Sequence, residues 1–385
     1  MPSRHCAVIG AGVLGASVAA RLAAAGMDVT VLEEDRPGRA TSRWSFAWLN
    51  SNDKAPRSYH DLNHAGIRAW AELAPELDGA AWYRPVGHVE LAASEAGRAE
   101  LAARVQRLTE WGYPARVIDA AEAVTIEPAL RLSWPQEAAA WFPEEAYVLT
   151  EPLIERLIGR ARACGATILT GERGRVTGLA PGRVRTADGQ VLAADEIVCC
   201  AGRWTTQVAA LAALSGAALP VPLVSWDTPG TTATGLVVRA GPVAPDGPAR
   251  VIHTPELALR PHSGGLVHLE APDAAVDLHT PGAELLRWAG ELLHRARGAV
   301  RGLEQAAVTD YQVCVRPMPV DGQSIVGRLP GAGWLYVAVT HSGVTLAAHL
   351  SRLIAAELAA GEPGAELAPY RPDRFTGTAA PAPGR

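Results

Sequence analysis

The chain has 385 residues, 48% hydrophobic and 19% charged, with 35 basic and 40 acidic side chains giving a formal net charge of −5. That apolar content supplies a sizeable core and excludes a solvated disordered chain, and the acidic balance speaks against a nucleic-acid-binding footprint. Lys54 is the single lysine among the basic residues, so Schiff-base chemistry through lysine has one candidate.

The first predicted element is a strand in HCAVIG, a short apolar run suited to burial on both faces. Gly10-Ala11-Gly12-Val13-Leu14-Gly15 follows, then an alanine-rich helix to Ala25 stopped by Gly26. The next strand, DVTVLEE, ends on Glu33 and Glu34. Strand, glycine turn, helix, strand and terminal acid make up the dinucleotide fingerprint. Gly10 permits the tight turn, Gly12 lets backbone approach a pyrophosphate, Gly15 lets helix and strand pack closely, and Glu33 accepts hydrogen bonds from a ribose. A carboxylate at Glu33 disfavours the 2′-phosphate of NADP. The fingerprint alone leaves FAD and NAD both open.

A polar segment runs from Ser51 to Asn63, where Lys54, Arg57 and Tyr59 either line a cavity or belong to a solvated loop before a helix. His60 and His64 share a helix face as a metal pair would. Asp61 stands where the metalloprotease motif needs Glu, and no third ligand is evident, so histidines at the surface or cavity rim are expected, and no metal. Residues 152–164 read as helix, ATILT as a strand, Asp188-Gly189 as a two-residue hairpin turn, and EIVCCAG as a buried strand end in which Cys199 and Cys200 pack. Residues 221–280 read as strands and loops. They hold His253, His262 and His268, with no spacing that singles one out as a base. Residues 282–297 are predicted helix, WLYVAVT strand and Val344–Ala360 helix; residues 371–385 have the composition of a flexible tail. The five cysteines show no disulfide framework and no secretory signal precedes the first strand. No uncharged apolar run reaches membrane-spanning length without prolines or histidines interrupting it, 205–224 coming nearest. A soluble, cytoplasmic protein is expected.

Five blocks together, AVIGAGVLGASVA with VTVLEE, RATSRWS, GATILTGERGRVTGL, EIVCCAGRWT and RPMPVDGQSIVGRLPGAGWLYVAVTHSGVTLA, resemble the D-amino-acid oxidase-like family of FAD-dependent oxidoreductases, which includes glycine oxidase and monomeric sarcosine oxidase. The resemblance implies FAD rather than NAD. It implies an α/β fold: a Rossmann-like FAD-binding domain with an interleaved substrate domain on a mixed, mostly antiparallel sheet. The expected boundaries are 1–83, 142–220 and 310–370 for the first, 84–141 and 221–309 for the second, with 371–385 as tail. For the cofactor it implies Val13 and Leu14 in the fingerprint turn, Thr41, Ser42, Arg43 and Ser45 in the flavin loop, and Val176 at the adenine. Ala201, Gly202 and Trp204 form a turn beside the cofactor, and Gly343, Val344 and Thr345 open a helix whose N-terminal dipole faces the flavin. Arg316 matches an arginine that holds a substrate carboxylate, against the alternative of a surface turn before Pro317. His341 is expected near the flavin. Cys314 matches a position of covalent flavin attachment on one alignment, with a buried strand cysteine and non-covalent FAD preferred.

The implied activity is oxidation of a C–N bond in an amine or amino acid by hydride transfer to flavin N5, with dioxygen as acceptor and imine and hydrogen peroxide as products. The alternatives are an FAD dehydrogenase of an amino or 2-hydroxy acid with another acceptor, a tailoring oxidase for a bulkier metabolite, and a non-catalytic dinucleotide-binding protein. Three departures from the family bear on the substrate: Phe46 and Ala47 stand where small glycines are common, HSGVTLAA reads as a shortened loop, and Ala258 falls where a substrate-contacting tyrosine lies. Substrate identity and oligomeric state stay open.

Overall fold

The computed structural model describes residues 4–132, 138–212 and 221–376. The opening apolar run forms strand His5–Ile9, buried from Cys6 onward, and pairs in parallel with Asp28–Glu33 on one side and Glu196–Cys199 on the other. Thr167–Thr170 extends this sheet beyond Asp28–Glu33, and Ala332–Val339 extends it beyond Glu196–Cys199. All of these are parallel; Ile325–Leu329 closes the edge antiparallel, giving six strands. A parallel sheet must be covered on both faces. Helices Val13–Ala24, Thr150–Ala163 and Gly343–Ala360 lie over one face. Helix Thr205–Ala210 and the antiparallel strands Val176–Ala180, Arg183–Thr186 and Val191–Ala193 cover the other. The turn between the last two of these strands is longer than the two residues expected. Thr186 N–H donates to the Gln190 carbonyl at 3.0 Å, and Gly189 turns the chain in the left-handed region with φ of 87°.

Helix Gly343–Ala360 is long and apolar enough to span a membrane, with His349, Arg352 and Glu357 interrupting it. In this fold it is a core helix, with Leu346, Leu350, Ile354 and Leu358 all fully buried.

The second sheet has eight strands in the order Ala307–Val315, Thr234–Gly241, Leu266–Glu270, Leu257–His262, Val251–Thr254, His88–Ala92, Ala138–Phe142 and Arg116–Ile118. Every neighbouring pair is antiparallel except Val251–Thr254 with His88–Ala92. Side chains alternate across it. Leu236, Val238, Ile252, Leu259, Val267 and Leu269 pack against Leu292, Leu293 and Ala296 of helix Gly282–Ala299. Each such burial is worth about 1.5–3 kcal/mol. The residues between them, among them Gly235, Arg239, His253, Arg260, His268 and Glu270, take the opposite face.

Two features differ from the expected segmentation. Strand Ala307–Val315 runs across the boundary placed at 310 and pairs along its length with Thr234–Gly241, so it belongs to the eight-stranded sheet. The tail begins later than 371: Arg371 pairs with Glu357, Arg374 donates to Asp321 at 2.9 Å, and Pro372 is buried. Residues 377–385 lie outside the described residues.

Candidate active site at the junction of the two sheets

A cavity of about 320 Å³ joins the end of the parallel sheet to the polar face of the eight-stranded sheet. The glycine turn forms its floor through backbone geometry. A Cβ on Gly10 would lie 2.6 Å from the Cys200 carbonyl oxygen, and one on Gly15 would lie 2.0 Å from the Gly10 carbonyl oxygen. Strand and helix therefore meet more closely than any side chain permits. Gly12, Val13 and Leu14 face the cavity, and Val13 N–H donates to Ser42 Oγ at 3.0 Å. Glu33 Oε2 accepts from Ala11 N–H at 2.8 Å and Oε1 from Asp35 N–H at 3.1 Å, while burial pushes its carboxyl above the ordinary range against those bonds. Gly174 presses on the Glu33 backbone, where a Cβ would come within 2.2 Å of its carbonyl oxygen. Val176, two residues on, is thus at the Glu33 end of the groove and outside the cavity.

Thr41, Ser42 and Ser45 line the cavity as expected. Thr41 donates to the Val315 carbonyl at 2.6 Å, and Ser45 Oγ accepts from Ala47 N–H at 3.0 Å. Arg43 does not join them: its guanidinium lies 3.4 Å from Glu151 in a separate surface groove. Glu34 is exposed on the surface. Of the Ala201, Gly202 and Trp204 turn, Gly202 alone reaches the cavity. Trp204 is 38% exposed, with the Arg203 guanidinium 4.1 Å from its ring, so it is no cavity wall. Gly343, Val344 and Thr345 all line the cavity and bring a second helix N-terminus to it. Phe46 and Ala47 both line the cavity, and Ala47 takes φ of 56°, a conformation that favours glycine.

Arg316 is at the cavity wall rather than in a surface turn. Its Nη2 donates to the carbonyls of Thr232 at 3.0 Å and Thr234 at 2.8 Å, and its buried Nε has no partner. His341 also lines the cavity, and burial, with Lys54 and Arg316 nearby, lowers its imidazolium to about 3, so the ring is neutral. The polar segment divides: Lys54 lines the cavity, Arg57 is exposed with Asp61 at 3.7 Å, and Tyr59 is buried with its hydroxyl donating to Ser342 Oγ at 3.2 Å. His60 is not at the surface or rim; it is fully buried, 2.9 Å from Ser51 Oγ, and His64 lies 3.0 Å from Glu144. The two have separate partners, and no cluster of metal-ligand type occurs among the described residues.

Glu270 is a cavity residue that the sequence motifs do not single out. Glu270 faces Arg316, and burial raises its carboxyl to about 7 despite the opposing pull of Arg316 and Arg260. The alternation in LVHLE carried the signal, since Val267 and Leu269 in the core force His268 and Glu270 onto the other face. His253 lines the cavity and His262 and His268 lie farther along the same face. Cys314 is buried at the wall, where desolvation pushes its thiol up to about 12.

The residues fit FAD. The side-chain-free turn at Gly10 and Gly15 leads into the cavity, two helix N-termini open onto it, and a carboxylate closes its far end. Residues 5–357 match the family of FAD dependent oxidoreductases (DAO), and the chain belongs to that family. FAD is accordingly its cofactor, and the protein is an oxidoreductase. Among curated relatives, the chain is 27% identical to glycine oxidase of Pseudomonas putida over 96% of its own length and 99% of that protein's. It is 26% identical to an uncharacterized oxidoreductase, YurR, of Bacillus subtilis, over 95% and 97%. Among solved structures it resembles iminodiacetate oxidase from Chelativorans sp. BNC1, with a TM-score of 0.75 and 25% identity over 96% and 99% of the two chains.

Proposed function

We propose that the protein oxidises the carbon–nitrogen bond of a small carboxylate-bearing amine or amino acid, with dioxygen as the electron acceptor. The observation that carries this reading is the Arg316 guanidinium, anchored by two carbonyls through Nη2, with a buried and unpartnered Nε at the wall of the cofactor cavity. A planar guanidinium so fixed holds a carboxylate and orients the adjacent carbon–hydrogen bond. Bound FAD would supply hydride-accepting chemistry there, with dioxygen as the final acceptor and hydrogen peroxide as the product. Gly12, Val13, Leu14, Thr41, Ser42 and Ser45 would hold the cofactor's pyrophosphate side, and Glu33 and Val176 its adenosine end. The start of helix Gly343–Ala360 places a partial positive charge where negative charge develops on reduction.

Phe46, Trp48 and Val344 wall the cavity with apolar surface, which keeps water from the reacting carbon. His341, neutral through burial, offers a hydrogen bond without competing for the carboxylate. The imine formed on the substrate is hydrolysed by water after release. The high Cys314 thiol value supports non-covalent FAD, since the thiol is a poor nucleophile. The relatives named as oxidases support dioxygen as acceptor, and five free cysteines support a reducing, cytoplasmic setting.

The test is a panel of amino acids, N-substituted amino acids, simple amines and 2-hydroxy acids, scored for anaerobic bleaching of the flavin and for peroxide under air. Bleaching by a carboxylate-bearing amine with stoichiometric peroxide is expected. Bleaching without peroxide would replace the oxidase with a dehydrogenase, and bleaching by 2-hydroxy acids alone would overturn the carbon–nitrogen assignment.

A further inference from the structure

Behind the cavity wall lies a fully buried polar chain that the proposed chemistry has not used. Glu145 has no solvent exposure and accepts from Trp48 Nε1 at 2.8 Å, Tyr113 Oη at 2.7 Å and Asn52 Nδ2 at 3.2 Å. Three donors thus converge on one carboxylate and fix its position. Its Oε2 lies 3.0 Å from Nδ1 of His88, which is equally buried. Two lone pairs at that separation repel, so His88 carries its proton on Nδ1 and leaves Nε2 as an acceptor. His88 Nε2 in turn lies 2.8 Å from Nδ1 of His253. The same logic puts the His253 proton on Nδ1 and leaves the lone pair on Nε2. His253 lines the cavity, its ring 4.3 Å from that of Trp48 and edge-on to Phe46 at 5.8 Å. His88 cannot swing away, because it stacks on Phe142 at 5.1 Å.

Building on the amine-oxidising function put forward above, we propose that His253 is the proton acceptor for the substrate's ammonium group and that His88 and Glu145 are its positioning pair. An amine gives up hydride from its neutral form, so a zwitterionic substrate must first lose a proton inside the closed cavity. One N–H bond of the ammonium breaks and one forms at His253 Nε2. The Nδ1 proton of His253 passes to His88 Nε2, and the positive charge finishes on His88 against the Glu145 carboxylate. No electrons move in this step. Glu145 orients the pair, as a carboxylate behind an imidazole does in other proton-transfer sites.

The titratable and charged groups packed on His253 disfavour charge on the ring itself, which leaves the His88–Glu145 pair as the place for it. Beyond His88 and Glu145 they are Glu90 of the paired strand, Arg104 of helix Glu95–Glu110, which is salt-bridged to Glu90, and Tyr113 behind Glu145. Burial, with His88 and Arg104, holds His253 itself well below the ordinary histidine range, so the ring does not keep a positive charge and a proton taken at Nε2 must be matched by one passed on to His88.

The experiment uses FAD-loaded protein. ¹⁵N-histidine NMR, with His253→Asn for assignment, reads the tautomer without a substrate. A protonated Nδ1 and bare Nε2 on His253 near neutral pH are expected, and the opposite tautomer would overturn the proposal. Stopped-flow flavin reduction by the amino acid that bleaches fastest in the panel then separates roles. His253→Asn and Glu145→Gln should each slow reduction about 100-fold at neutral pH, the size of a lost proton acceptor. Most of the rate should return near a pH of about 10, where the amine arrives already deprotonated. A merely structural loss gives no such rescue. Variants whose deficit ignores pH would overturn this assignment alone. Bleaching by no amine at all would overturn the functional reading and this one with it.

Discussion

The two faces of the eight-stranded sheet use the same strands for opposite purposes. In Leu266–Glu270 the side chains of Val267 and Leu269 are fully buried against helix Gly282–Ala299, while Glu270 faces the cavity. One face is energetically interchangeable apolar surface; the other is a set of histidines, arginines and carboxylates whose value lies in their partners. A period of two lets a short strand stabilise the fold and furnish a site at once, provided that neither face slips in register.

That comparison can be broken by substitution. The largest effect is expected outside the sheet, at the turn it covers. Gly15→Val forces atoms into the Gly10 carbonyl, where even a Cβ would lie at 2.0 Å, and should cost about 3 kcal/mol or more and leave the purified protein colourless. Thermal unfolding and flavin absorbance check both parts. On the apolar face, Leu269→Ala should cost about 2–5 kcal/mol in urea unfolding and leave the cavity's ligand preferences intact. A change in preference without lost stability would mean the faces are not independent.

One residue along, Glu270→Gln should do the reverse. The folded carboxyl sits at about 7, above its ordinary value, so the protein binds this proton more tightly than the unfolded chain does. The stability this contributes is present in full below the unfolded value, and it is lost as pH rises through about 7. Glu270→Gln should therefore match the wild type in acid and exceed it above neutrality by about 2 kcal/mol, allowing for partial solvent access. A urea series across that range would show the gap opening. The smallest effect is expected at Trp204, where replacement by Ala should leave FAD affinity within about twofold, because the ring is exposed away from the cavity.

The same contrast explains what was legible in the sequence. The fingerprint could be read because Gly10, Gly12 and Gly15 encode backbone geometry locally, and Glu33 lies within the same unit. Arg316 and the start of the final helix were legible through resemblance, since their blocks lie in continuous stretches. Arg43 and Trp204 carried the right motif but point elsewhere, because Glu151 and Arg203 offer nearer partners. His88 and Glu145 were invisible. Their roles depend on a parallel pairing between Val251–Thr254 and His88–Ala92 and on a turn before Ala146, none of which leaves a spacing pattern. His253 was in view as one of three histidines, but only its neighbours distinguish it.

The central claim is that the cavity binds a carboxylate-bearing amine beside FAD and that Arg316 holds the carboxylate. The most direct measurement compares anaerobic flavin bleaching by an amino acid with bleaching by the matching amine that lacks the carboxylate, in wild type and in Arg316→Ala. The wild type should favour the amino acid by about 50-fold or more, the worth of a charge-assisted pair, and the variant should lose that preference while still binding FAD. An unchanged preference in the variant, or no bleaching of the wild type by either compound, would contradict the account.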